Sequence, residues 1–175
     1  MKKTVLIFGL ISGAISTGIL LATIHYIGSV DFRKEDILGY TSIVLSALVV
    51  FFGIRSYREN AGAGQLTFGR GVAVGLLITL VSCACYVVAF QIVYFKAAPG
   101  IGEKYAACMV ERVRASGASQ QKVDEMAKKA RSYKQMYDNP AINAALAFAE
   151  MFPIGLVVTA ASAGILRKRG ARHEN

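Results

Sequence analysis

Residues 71–95 read Gly-Val-Ala-Val-Gly-Leu-Leu-Ile-Thr-Leu-Val-Ser-Cys-Ala-Cys-Tyr-Val-Val-Ala-Phe-Gln-Ile-Val-Tyr-Phe, without one charged side chain. A helix needs about 20 mostly apolar residues to cross a hydrocarbon core of about 30 Å, and this stretch supplies them. Working outward, three further apolar stretches appear: Thr4–Gly28, Ile37–Ile54 and Ala141–Leu166. Together the four occupy more than half of the chain. The pattern predicts an all-α integral membrane bundle of four transmembrane helices, spanning about 4–28, 37–54, 71–95 and 141–166. All of 1–175 then forms one membrane domain, with a helical extracytoplasmic segment over about 101–138 between the third and fourth spans.

The composition agrees. The chain is 54% hydrophobic and has 17 glycines, and glycine is commoner in membrane helices than in soluble ones. It has no Trp, so the interfacial aromatic role falls to tyrosines such as Tyr26, Tyr40, Tyr57 and Tyr94. The net charge of +9 does not point to nucleic acid, because the basic residues flank apolar segments instead of lining one soluble face. Lys2 and Lys3 precede the first span, Arg55, Arg58 and Arg70 lie between the second and third, and Arg167, Lys168 and Arg169 follow the fourth. Lys and Arg concentrate on the cytoplasmic side, which predicts that both termini are cytoplasmic. The apolar run after Met-Lys-Lys is longer than the h-region of a signal peptide and is predicted to be an uncleaved first span.

Within the outer segment, Val123, Met126, Ala127, Ala130, Tyr133 and Tyr137 recur at helical spacing. Ser119 is the expected N-cap and Pro140 the expected stop. A shorter helix is expected over 102–115, broken at Ser116-Gly117. This pair should lie on the membrane or pack over the bundle.

Gly9 and Gly13 in span one, and Gly71 and Gly75 in span three, are spaced four apart, which lets a second helix approach closely. Gly155 begins a similar small-residue face in span four. Glu150 is the one carboxyl within the spans. It lies about 24 Å of helix from Arg167, and an ionisable group at that depth costs roughly 2.5–3.5 kcal/mol. Pro153, three residues on, cannot donate a backbone N–H. The combination predicts a polar intramembrane site at Glu150 and Pro153, with His25, Gln91 and Tyr94 as neighbours at similar depth. Arg55, Arg58, Arg167, Lys168 and Arg169 are candidate lipid headgroup contacts. Cys83, Cys85 and Cys108 form no framework, two histidines are too few for a metal centre, and no cofactor motif is legible.

Three stretches carry a likeness: Gly53-Ile54-Arg55-Ser56-Tyr57-Arg58, Gly64-Gln65-Leu66-Thr67-Phe68-Gly69, and Tyr137-Asp138-Asn139-Pro140 followed by Phe148-Ala149-Glu150-Met151-Phe152-Pro153-Ile154-Gly155. On these the chain resembles the bacterial membrane proteins grouped as domain of unknown function 4199, over essentially its whole length. The resemblance implies four transmembrane helices in a bacterial cytoplasmic (inner) membrane and supplies no reaction. It draws attention to Arg55, Tyr57, Arg58, Glu150, Pro153 and Gly155 without assigning them roles. Where the family often carries a Trp near the outer end of span three, this chain has Phe90 nearest.

With no catalytic constellation in the sequence, the expectation is a non-enzymatic structural or accessory membrane subunit. Its partners would be membrane lipids and either further copies of itself or another membrane protein. The alternative is a small oligomeric transporter or channel built around Glu150 and the Pro153 helix break. An enzyme acting on lipid would need a nucleophile or metal with an acid–base partner, and neither is legible. Reporter fusions check the orientation. A fluorescent protein joined after Asn175 should emit and alkaline phosphatase there should be inactive, with the reverse for insertions at Ser116-Gly117.

Overall fold

The computed structural model describes residues 1–26, 32–62 and 64–168, with side chains described for all of these except 24–26, 32–40, 42–43 and 47. Among the described residues there are six α-helices. These are α1 (Lys2–Tyr26), α2 (Phe32–Asn60), α3 (Phe68–Ile92), α4 (Ile101–Ala115), α5 (Gln120–Tyr137) and α6 (Pro140–Leu166), and α3 continues into a π-helical turn at Val93–Ala97. Among the described residues three helical segments are long and apolar enough to cross a membrane: Lys2–Thr23, Phe68–Ala97 and Pro140–Leu166. The fourth expected span, 37–54, lies in α2. That helix carries charged residues near both ends, and the side chains of 37–40, 42–43 and 47 are outside the described set.

Local chemistry sets the helix ends. Thr67 caps α3 by accepting from the Arg70 amide, and Asn139 caps α6 by accepting from the amides of Ala141 (3.0 Å) and Ile142 (3.3 Å). Pro140, read from the sequence as a stop, is the first residue of α6, where its missing N–H costs nothing. Ser119 occupies the N-cap of α5 with extended backbone, but its side chain makes no capping bond. Gly117, at φ +73°, turns the chain between α4 and α5. The expected break at Pro153 is not a break: α6 runs through it from Pro140 to Leu166. Proline removes one N–H donor from a helix of this length, and the remaining ladder carries the turn.

The third helix is the hub and packs against α1, α2 and α6. Its register follows from glycines. A Cβ on Gly9 would lie 2.7 Å from Val81 Cβ, and one on Gly13 would lie 2.6 Å from Cys85 Cβ, so α1 and α3 run the same way. Gly71 faces Ala163 at 3.0 Å, Gly75 faces Thr159 at 2.6 Å, and Gly155 faces Thr79, so α6 runs against α3. Gly53 brings α2 against Ile78 and Phe8.

The basic end of the bundle is the better closed. Val5, Val50, Ile54, Leu66, Val74, Ile78 and Leu166 form one buried cluster there. Leu66 and Lys168 exchange two backbone hydrogen bonds of 3.0 Å, tying the α2–α3 connection to the end of α6. Arg58 donates to the Leu166 carbonyl at 3.4 Å, serving one of the orphan acceptors of a helix C-terminus. At the other end α4 and α5 pack on each other as a hairpin, and α5 touches α6.

Close approach at the α3–α6 seam gives a direct expectation. Gly75→Val should lower resistance to thermal or SDS unfolding in micelles by about 1–3 kcal/mol. Gly18→Val, at a position with no neighbouring atom within 4 Å, should leave it unchanged.

Candidate functional site

Glu150 sits one helical stretch in from the capped start of α6. Its Oε1 accepts the Tyr137 hydroxyl at 2.7 Å, the usual length of an O–H···O bond. The last turn of α5 is itself fixed. The Tyr137 carbonyl accepts from Asn143 Nδ2 at 2.9 Å, and Asn143 is completely buried. The Tyr137 ring packs against Phe90 and Tyr94, each with centroids 6.2 Å away. Burial, then the bond to Glu150 and its charge, push the Tyr137 phenol well above its ordinary value, so it remains a donor at neutral pH.

Around this pair the π-helical end of α3 is stitched to the α5–α6 junction. Gln91 donates to the Pro140 carbonyl at 2.7 Å. Tyr94 donates to Asp138 Oδ1 at 2.9 Å, and Lys134 Nζ sits 2.7 Å from Asp138 Oδ2 and 3.7 Å from Glu103. The hydrogen bond from Lys134, joined by that from Tyr94, holds the Asp138 carboxyl below its ordinary range. The same contact with Asp138 raises Lys134.

Two cavities open on either side of Glu150. The outer one, about 470 Å³, lies between the α4–α5 hairpin and the ends of α1 and α3, and its wall includes Phe90, Tyr94, Tyr105, Tyr133 and Tyr137. The inner one, about 300 Å³, lies among α1, α2, α3 and α6 and is lined in part by Ser12, Ser16, Ser46, Thr79, Ser82 and Tyr86. Leu20, Thr23 and Glu150 belong to both walls. Some inner hydroxyls satisfy one another: Ser82 donates to Ser12 at 2.9 Å, and Thr79 and Thr159 lie 3.3 Å apart. Ser16 and Ser46 have buried hydroxyl oxygens with no hydrogen-bond partner among the described residues. A buried hydroxyl left unpaired costs about 1–3 kcal/mol, so this wall favours a guest or water that bonds to it.

The remaining candidate residues are placed as follows. Gln91 is spent on Pro140 and Tyr94 on Asp138, so neither bonds Glu150, although Tyr94 shares the outer cavity with it. The His25 side chain and Arg169 lie outside the described residues. Arg55 pairs with Glu59 at 2.9 Å, Arg58 is spent on Glu59 and Leu166, and Arg167 stands at the C-cap position of α6. Among the described residues no group of three or more His, Cys, Asp or Glu side chains is placed to hold a metal ion. The sequence reading did not single out Tyr137, Tyr105, Tyr133 or the Lys134–Asp138 pair as site residues. Their one available signal was a set of tyrosines near the outer boundary, two of them on the apolar face of α5.

The chain belongs to the family described as Protein of unknown function (DUF4199), which it matches over residues 6–168. No curated protein and no solved structure matches it.

The Asp138 cluster carries a pH dependence of defined sign. A carboxyl whose folded value is depressed adds stability above its unfolded value, and that stability is lost as pH falls through the lowered folded value. Protection of the α5–α6 junction in deuterium exchange, taken relative to the intrinsic exchange rate at each pH, should therefore fall on acidification below pH ~4. In Asp138→Asn the protection should be lower at neutral pH and show a smaller acid response.

Proposed function

We propose that this chain is a four-span membrane protein that takes up a small solute at Glu150 and hands it between the two cavities. The spans would be α1, α2, α3 and α6, with the basic end and both termini cytoplasmic and the α4–α5 hairpin outside. The observation that carries the reading is that one carboxyl lines both cavities. A carboxyl serving only as glue between helices would be enclosed by them.

Support for membrane embedding comes from what the bundle leaves outside. Val157 is 69% exposed and Ile165 74%, with Leu6, Leu10 and Leu21 of α1 and Val44 and Leu48 of α2 also turned outward. An apolar belt of that extent is stable against lipid and costly against water. The fourth span rests on the uncharged 37–54 stretch of α2, which packs against α1 and α6. The orientation rests on Lys2, Lys3, Arg55, Arg58, Arg70, Arg167 and Lys168, all at the closed end. Four helices are few for a complete path, so the working form would be a homo-oligomer.

One observation favours the accessory-subunit reading. Gly164 has no atom near its Cβ position, and Ala160, one turn away, is exposed, which leaves a small-residue face open to a partner helix.

Native mass spectrometry of protein extracted gently from its own membrane separates the two. A bound small molecule present in the wild type and lost in Glu150→Gln is the expected result. A stoichiometric partner protein with no small molecule would favour the accessory subunit instead.

A further inference from the structure

We infer that the solute entering the outer cavity is an organic ammonium ion, held against aromatic faces with its charge answered by Glu150. This rests on the proposal that the cavities bind a solute, and adds its chemical class.

Charge is the first argument. Among the described residues, the charged side chains in the cavity wall are Glu150 and Lys134. Lys134 is already committed to two carboxylates, Asp138 at 2.7 Å and Glu103 at 3.7 Å, so it is not available to answer Glu150. Among the described residues the wall therefore keeps one carboxyl that no cation answers and offers no free cation to an anionic guest. The start of α4, which would favour an anion, is also answered. The Ile101 and Glu103 amides bond the carbonyls of Ala98 and Gly100, and Glu103 itself stands in the first turn.

Ring chemistry is the second argument. Five aromatic rings line about 470 Å³, a volume in the range of small-molecule sites. Aromatic faces attract a cation through the ring quadrupole, more strongly once it is desolvated. The Tyr105 phenol is raised by burial and then by the charge of Glu150, so it contributes a neutral ring and not a phenolate. A bare calcium ion does not fit this wall, since it takes six to eight oxygen ligands and the described wall offers one carboxylate.

A third observation lies behind the carboxyl. Ser16, 2% exposed, and Ser46 keep unpartnered hydroxyls in the inner wall. These are acceptors for the N–H groups of an amine that has passed Glu150.

An ammonium group has two natural sources, the headgroup of an aminophospholipid and a free amine. Full-length protein in phosphatidylglycerol nanodiscs can be titrated with choline and ethanolamine. The controls are 3,3-dimethylbutanol, which has the shape of choline without its charge, and phosphate. Binding is read by isothermal titration calorimetry, with empty nanodiscs of the same lipid as the blank. Saturable binding of the amines is expected, with the neutral isostere about tenfold weaker, Glu150→Gln weaker by a similar factor, and phosphate silent. Tyr105 and Tyr133 are about half exposed, so Tyr105→Ala with Tyr133→Ala should weaken binding even if the Glu150 variant does not fold. Repeating the titration in phosphatidylethanolamine nanodiscs locates the source: competition by the lipid assigns the headgroup, and unchanged affinity assigns the free amine. Equal binding of 3,3-dimethylbutanol, or binding of phosphate, overturns the ammonium assignment while leaving a solute site standing. No binding by any probe, with a different Glu150-dependent guest in native mass spectrometry, also overturns only the assignment. No binding and no guest overturn both.

Discussion

Gly9, Gly13, Gly71, Gly75 and Gly155 leave bare backbone where α3 meets α1 and α6, and the opposing atoms fill the space a Cβ would need. Close approach of this kind sharply constrains the register, because sliding either seam by one residue would drive a side chain into backbone. Between helices whose surfaces are equally apolar, close packing and buried hydroxyl contacts supply the cohesion. Ser12 with Ser82, and Thr79 with Thr159, add hydrogen bonds at the depths where the glycines allow contact. Once these seams are set, the depth of Glu150 against Tyr86 and Ser16 follows.

The two ends of the bundle then have different characters. At the basic end the four helices close on a cluster of branched aliphatic side chains, and the α2–α3 connection is hydrogen-bonded there to the end of α6. At the other end the same helices enclose a cavity, and a polar network of Tyr94, Asp138, Lys134 and Gln91 holds the hairpin in place. Polar networks of this type are stable only when each member is satisfied. Here Tyr94, Asp138, Lys134 and Gln91 each have a partner, while the buried oxygens of Ser16, Ser46 and Asn143 Oδ1 have none among the described residues.

How much of this was legible in the sequence follows from the range of each interaction. Three spans and the hairpin were readable because hydropathy, Gly117 and the apolar positions of α5 are local signals. Helix ends were less so: the run of charge after Ile54 reads as a loop, yet α2 continues to Asn60, since Arg55 and Glu59 pair four residues apart on one helical face. The partner of Glu150 was out of reach. Depth along a helix can be counted from its flanking charges, which brings Gln91 and Tyr94 to the same level, but which side chain turns toward the carboxyl depends on helix rotation. The chosen one, Tyr137, comes from the preceding helix and is delivered by the tight Asp138–Asn139 connection. The bond from Arg58 to the Leu166 carbonyl likewise depends on tertiary packing, and nothing local signals it.

The bridge between Leu66 and Lys168 bears on the order in which the molecule is made. A ribosome delivers Leu66 about a hundred residues before its partner, so at a typical rate of about 5–20 residues per second the α2–α3 connection waits several seconds unpaired. During that interval α3 has its seam with α1 but lacks the one with α6, and the aliphatic cluster at the closed end is missing Leu166. The final residues of α6 therefore act as a late latch: nascent chains stay open at this end until Leu166 and Lys168 have left the ribosome.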